Sequence, residues 1–132
     1  MATRRDVLIG AAAGLVSAAL PAFPSTTGAT SMYGLIGRMK AASGQRDALI
    51  DLLLQGTGDM PGCLSYIIAR DPADADSVWI TEVWDSAESH RASLSLPAVQ
   101  QAIAQARPII AGFGERFETT PVGGHGLAQA AH

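Results

Sequence analysis

The chain has 132 residues, room for one domain, and its 48% hydrophobic and 16% charged content describes a chain that buries a core rather than a disordered one. A net charge of −3 supplies no basic surface for nucleic acid or anionic lipid. Cys63 is the single cysteine, so an intrachain disulfide is excluded, and no Cys/His spacing of the metal-ligand kind occurs.

Residues 1–29 read as a targeting segment. Thr3-Arg4-Arg5-Asp6-Val7-Leu8 resembles a twin-arginine motif, and the apolar run Val7–Leu20 that follows has 14 residues. That is short of the roughly 20 needed to span a bilayer, so the segment is expected to be a removable signal and no stable membrane anchor. Thr27-Gly28-Ala29 is a plausible cleavage site. Two of the nine basic and one of the twelve acidic side chains leave with it, so the remainder carries a charge near −4. The expected destination is the periplasm or the exterior.

The ordered domain is expected over 30–122. Met32–Lys40 is strand-like, and Ser43 is the expected N-cap of a helix carrying Ala48, Leu49, Leu52 and Leu53 at helical spacing, which Gly56-Thr57-Gly58 ends. Pro61-Gly62 turns the chain into a second strand, Cys63–Arg70, with Leu64, Tyr66 and Ile68 on one face and Ser65, Ile67 and Ala69 on the other. The acidic run Asp71–Asp76 lacks the glycine and terminal glutamate of a calcium loop and reads as a hairpin turn. On the third strand, Val78, Ile80, Glu82 and Trp84 share one face and Trp79, Thr81 and Val83 the other. Asp85 or Ser86 caps a short helix to about Leu94. Pro97 suits the first turn of another, with Val99, Ile103 and Ala106 on one face, and Gly112–Thr120 is the last strand. Residues 123–132 form a Gly/Ala/His/Gln tail without periodicity, expected to be flexible. The fold class is therefore α+β, a ferredoxin-like β-α-β-β-α-β with its second helix broken near Pro97. Apolar alternation on both strand faces argues that a second copy covers the side the helices leave open.

Gly62-Cys63, Tyr66, Glu82-Val83-Trp84, Pro97 and Ala106-Arg107-Pro108, in this order and spacing between Met32 and Gly123, resemble the antibiotic biosynthesis monooxygenase family. The resemblance implies a dimeric α+β barrel, a homodimer as the working form, and a quinol monooxygenase that uses molecular oxygen without a bound cofactor. Many relatives place a histidine or tryptophan nine residues after the Glu-x-Trp tryptophan, where this chain has Ser93. His90, one helical turn earlier, is the candidate to take its place. The haem-degrading branch needs an asparagine, a tryptophan and a histidine at positions that here hold Gly37, Ser93 and Ile103, so haem degradation is not expected.

Glu82 is the sharpest catalytic candidate, because a carboxyl in line with Val78, Ile80 and Trp84 is partly desolvated, which raises its pKa toward that of a usable base. Its bland alternative is a structural ion pair with Arg107 or Arg38. His90 is a second candidate base, set against the reading of a surface-helix histidine. Tyr66, Trp84 and Arg107 are candidate substrate-binding residues, the two rings as walls of a pocket for a flat ligand or, in the plainer reading, as core. Trp79, on the opposite face, belongs to the expected dimer interface. Cys63 reads as a small buried apolar residue.

Two functions follow. In one, a quinol or polyphenol is deprotonated by Glu82 or His90 and reacts directly with oxygen. In the other, the same pocket holds a small aromatic ligand without turning it over, as a dimeric binding or stress-related module. Ser93 in place of the common helix residue favours the second.

Overall fold

The computed structural model describes residues 31–128; the segment 1–29, expected to be a targeting signal, lies outside the described residues. The chain runs β1 (Tyr33–Ala41), α1 (Arg46–Gly56), β2 (Cys63–Arg70), β3 (Ser77–Trp84), α2 (Ala87–Ser93), α3 (Pro97–Ala106), a 3-10 turn (Arg107–Ile109) and β4 (Ile110–Thr119). The sheet order is β2-β3-β1-β4, with every neighbouring pair antiparallel. This is the ferredoxin-like arrangement, its second helix delivered as α2 and α3.

Alternation along β3 decides which face is covered. Val78, Ile80 and Trp84 are buried, and Glu82 stands in line with them. The register sets Tyr66 of β2 and Leu35 of β1 opposite Glu82, and Cys63 and Tyr33 opposite Trp84. The helices close this face with two clusters, Ala41, Leu49, Val78 and Ala106 at one end and Met60, Trp84 and Val99 at the other. Full burial of a side chain such as Leu49 or Val78 contributes about 1.5–3 kcal/mol. Between the clusters α1 and α3 approach closely because small residues meet there: a Cβ built on Gly56 would lie 2.5 Å from that of Ala102. On the other face of the sheet Ile67 and Phe117 stay 55% and 54% exposed.

The start of α1 differs from the expected Ser43 cap. Gln45 holds the N-cap position without a side-chain bond, and Gly44, at φ +77°, turns its N–H to Asp76 Oδ1 at 3.1 Å. Arg46 does not replace the cap, since it is a donor and not an acceptor, but it anchors the start of the helix: its Nη1 donates to the carbonyls of Asp71, Asp74 and Ser77 at 3.2, 2.9 and 3.4 Å. The helix is thus tied to the β2–β3 turn rather than to its own first residue. The second helix does take the expected cap, Ser86, whose Oγ accepts from Ser89 N–H at 3.1 Å, and Pro97 is the first residue of α3.

Strict alternation also fails at the start of β2. A register shift sets Cys63 opposite Trp84 and Ser65 opposite Val83, leaving Leu64 as the extra residue. Cys63 therefore packs on the helix-covered side, against the Met60–Trp84–Val99 cluster. The last strand begins at Ile110, two residues before the expected Gly112. The described part of the tail forms no strand or helix, but Ala128 N–H donates to Leu64 O at 2.8 Å. Among the described residues no helix is long and apolar enough to cross a membrane.

Candidate active site

Packing the broken second helix over a sheet whose core clusters sit at its two ends leaves a cavity of about 580 Å³ between them. Glu82, His90, Tyr66, Trp84 and Arg107, the five residues singled out from the sequence, all line it. Apolar residues from β1, α1, α3 and β4 form most of the remaining wall. A smaller space of about 290 Å³ between β1 and β4 shares Met39, Ile80, Glu82, His90 and Phe113 with the first. Glu82 and His90 thus stand where the two spaces meet.

Glu82 is fixed by a neighbour on its own strand. Residues two apart on a strand share a face, and here Trp84 Nε1–H donates to Glu82 Oε1 at 2.8 Å. Among the described residues Oε2 has no hydrogen-bond partner and is not one of the buried unpaired atoms, and the residue as a whole lines the cavity. Burial is the largest influence and pushes the carboxyl above the ordinary glutamate value, while the Trp84 donor and the charges of His90 and Arg116 pull the other way. The structural alternative of an Arg38 or Arg107 partner is not what the chain forms. Arg38 Nε donates to Glu115 Oε1 at 2.7 Å, and no carboxylate lies within ion-pair reach of Arg107 among the described residues.

His90 is held by ring contacts rather than by a hydrogen bond. Its imidazole lies 5.3 Å from the Tyr33 ring and 5.5 Å, edge-on, from the Trp84 ring. Its Nε2 is 3.8 Å from Glu82 Oε1, too far for a direct hydrogen bond, with side chains only 18% and 14% exposed. Ser93 is buried one turn on, and its hydroxyl donates to His90 O at 2.6 Å. This serine lines the cavity, as does Ile103, while Gly37 lines the smaller space.

Tyr66 faces Glu82 across β2 and β3. Its phenol is pushed well above the ordinary tyrosine value, by burial first and by Glu82 second, so it stays protonated. Burial likewise raises the Cys63 thiol, helped by Glu82, which argues against a thiolate nucleophile. Trp79 lies on the far face, where Nε1–H donates to Asp71 Oδ2 at 3.1 Å and Arg38 sits 6.0 Å from the ring centre. Among the described residues no group of three or more Asp, Glu, His or Cys is placed to hold a metal ion.

Tyr33 is the residue sequence reading missed. Its ring makes a tilted contact with His90, and its hydroxyl donates to Glu118 Oε2 at 2.6 Å, a bond that raises the phenol's pKa. The register that sets it opposite Trp84 brings it to the site, and no residue pattern in the sequence signals that pairing.

Residues 32–105 match the sequence model of a family described as antibiotic biosynthesis monooxygenase. A crystal structure from Chloroflexus aurantiacus, named as a candidate antibiotic biosynthesis monooxygenase, is 66% identical over 74% of this chain and 100% of its own, with a TM-score of 0.73. Proteins from Pseudomonas aeruginosa (16% identity, 72% of this chain and 98% of that one, TM-score 0.63) and Nitrosomonas europaea (13%, 73% and 93%, 0.61) share the fold alone. No protein of curated function matches the sequence.

Proposed function

We propose, since this chain belongs to the antibiotic biosynthesis monooxygenase family, that its monooxygenase-type role is the oxidation of a quinol or polyphenolic aromatic by molecular oxygen. The observation that carries this reading is the placement of Glu82, with one carboxylate oxygen fixed by Trp84 and the other without a hydrogen-bond partner among the described residues, on the wall of a cavity of aromatic-ligand size. In the proposed step Oε2 accepts the proton of a bound phenolic hydroxyl, and the resulting phenolate is electron-rich enough to react with oxygen directly. For a simple hydroquinone the balance is quinol plus O₂ giving hydroxyquinone plus water. One oxygen atom joins the ring, and the other leaves with the two hydrogens the substrate loses. Tyr66, kept protonated, donates a hydrogen bond to the substrate oxygen, His90 is the second base within reach, and the apolar wall excludes water.

The same reading includes a homodimer. Ile67 and Phe117, exposed on the sheet face away from the helices, are supported there by Ile36, Trp79 and Val83, and a second sheet laid on that face buries them. It also includes export, with residues 1–29 removed as the signal.

Oxygen uptake by the purified protein with a panel of hydroquinones tests the function. Protein-dependent uptake above the autoxidation blank, lost in Glu82→Gln, is expected. Saturable ligand binding without uptake points instead to the non-catalytic module.

A further inference from the structure

Tyr33 reaches the site without lining it. Its side chain is part of the wall of neither the cavity nor the smaller space, so its effect on a reaction there passes through a neighbour. That neighbour is His90. Antiparallel pairing of β1 with β3 sets Tyr33 directly opposite Trp84, and side chains so paired stand on one face with their Cβ atoms about 5 Å apart. The last turn of α2 lowers His90 onto the pair: its imidazole lies 5.3 Å from the Tyr33 ring, tilted by 39°, and 5.5 Å from the Trp84 ring, edge-on at 74°. Its Nε2 stops 3.8 Å from Glu82 Oε1. Closing that gap to the roughly 2.9 Å of an N–H···O bond takes about 1 Å. Where the two rings hold the imidazole therefore decides whether His90 engages the carboxylate.

Tyr33 is itself held twice. The body of its ring packs against the Met60–Trp84–Val99 cluster, and its hydroxyl donates to Glu118 Oε2 at 2.6 Å. Glu118 stands opposite Leu35 on β4, one diagonal step from Tyr33 on the same face of the sheet, and Arg116 Nη1 lies 3.9 Å from the same carboxylate oxygen. Tyr33 is the first residue of β1, where a strand end frays unless it is tied down. The tether to β4 gives this ring a fixed place. The other wall is joined to the carboxylate directly, since Trp84 Nε1–H donates to Glu82 Oε1 at 2.8 Å.

Resting on the proposed role of Glu82 as base, we infer that Tyr33 is a positioning residue: tethered to Glu118, its ring seats the His90 imidazole against Trp84 and fixes the approach of Nε2 to the Glu82 carboxylate. Tyr33 then acts on the rate of the step at Glu82 and not on substrate affinity.

A double-mutant cycle in oxygen uptake with a hydroquinone, run beside proton NMR of the imidazole at fixed pH, tests the inference. Tyr33→Leu removes the ring wall and is expected to lower kcat about three- to tenfold, the change that the loss of an aromatic contact converts to, with hydroquinone affinity by calorimetry within about twofold of the parent. His90→Gln is expected to show a similar loss, and Tyr33→Leu combined with His90→Gln no further loss, because the ring acts through the imidazole. Tyr33→Phe keeps the ring and cuts only the tether, so a smaller fall with the same coupling to His90 is expected; it decides the matter if Tyr33→Leu does not fold. The His90 Cε1–H signal, assigned by its absence in His90→Gln, is expected to move in the Tyr33 variant toward the position of a free histidine. Losses that multiply in the double variant, a loss of hydroquinone affinity that accounts for the whole effect, or a His90 signal that stays in place in folded Tyr33→Leu would each overturn the inference. No uptake by the parent, or uptake that survives Glu82→Gln, removes the base and the inference together. Uptake lost in Glu82→Gln but unchanged in Tyr33→Leu leaves the base standing and removes the seat alone.

Discussion

Replacing Trp84 by Phe removes one donor and keeps a ring in the inner cluster, so it isolates what the indole N–H does to Glu82. That N–H bonds the carboxylate, 2.8 Å from Oε1, and so favours the charged form. Losing it lets burial, already the largest influence on this carboxyl, act with less opposition, and the pKa rises further. A hydrogen bond to a charged acceptor contributes roughly 1.5–3 kcal/mol. Even the low end is about tenfold in the ionised fraction. If ionised Glu82 is the base, kcat/KM for oxygen uptake in the variant is expected to fall about tenfold on the acid side of the profile and to approach the parent value at higher pH, where both proteins are ionised. Trp84 is fully buried, so the smaller ring leaves a void costing about 1–3 kcal/mol of stability, and the profile must be taken well below the variant's Tm. An acid limb that stays in place or moves to lower pH in a folded variant would refute the reasoning, because it would show that the group titrating in catalysis is not the one Trp84 touches.

Arg46→Ala releases three carbonyls of the β2–β3 turn at once and is expected to lower stability by about 1–3 kcal/mol, read as a fall in denaturation midpoint with an unchanged slope. Gly56→Val forces side-chain atoms into Ala102 across the α1–α3 contact; thermal melts are expected to show a loss of about 1–3 kcal/mol. The Asp74 carboxyl, held down to about 2 chiefly by the Asp76 N–H and then by the Ser77 hydroxyl, stabilises the fold above its unfolded value near 4. That contribution is lost as the pH falls through the folded value, so Asp74→Asn is expected to flatten the acid arm of stability against pH. Phe117→Glu places a charge on the exposed sheet face; on the proposed pairing of two copies through that face, light scattering is expected to show a smaller particle for the variant than for the parent, and equal sizes would remove that pairing.

Features set by one short segment were legible, and those set by register or by distant contacts were not. Period-two alternation was enough to put Glu82 in line with Val78, Ile80 and Trp84, and Ser86 and Pro97 could be read as helix starts, because each of these depends on neighbours within a few residues. The start of α1 is anchored through Arg46 to carbonyls 25 to 31 residues away, so Ser43 looked sufficient when it is not used. The side taken by Cys63 depends on a bulge that no residue type announces. Tyr33 could not be linked to His90 or Glu118 before the register of β1 against β3 and β4 was known.

The partner of Glu82 is the instructive case, because its answer was two residues away. Cations elsewhere in the chain, Arg38 and Arg107, drew attention as possible ion-pair partners, yet alternation already placed the Trp84 indole beside the carboxyl. The difference matters for chemistry. A guanidinium in contact would have pulled the pKa below the ordinary value and tied up the carboxylate. A neutral indole N–H orients one oxygen, and burial still holds the pKa above that value. A carboxylate positioned without being neutralised is the form a general base requires, and it leaves Arg107, exposed on the cavity wall, without a carboxylate among the described residues.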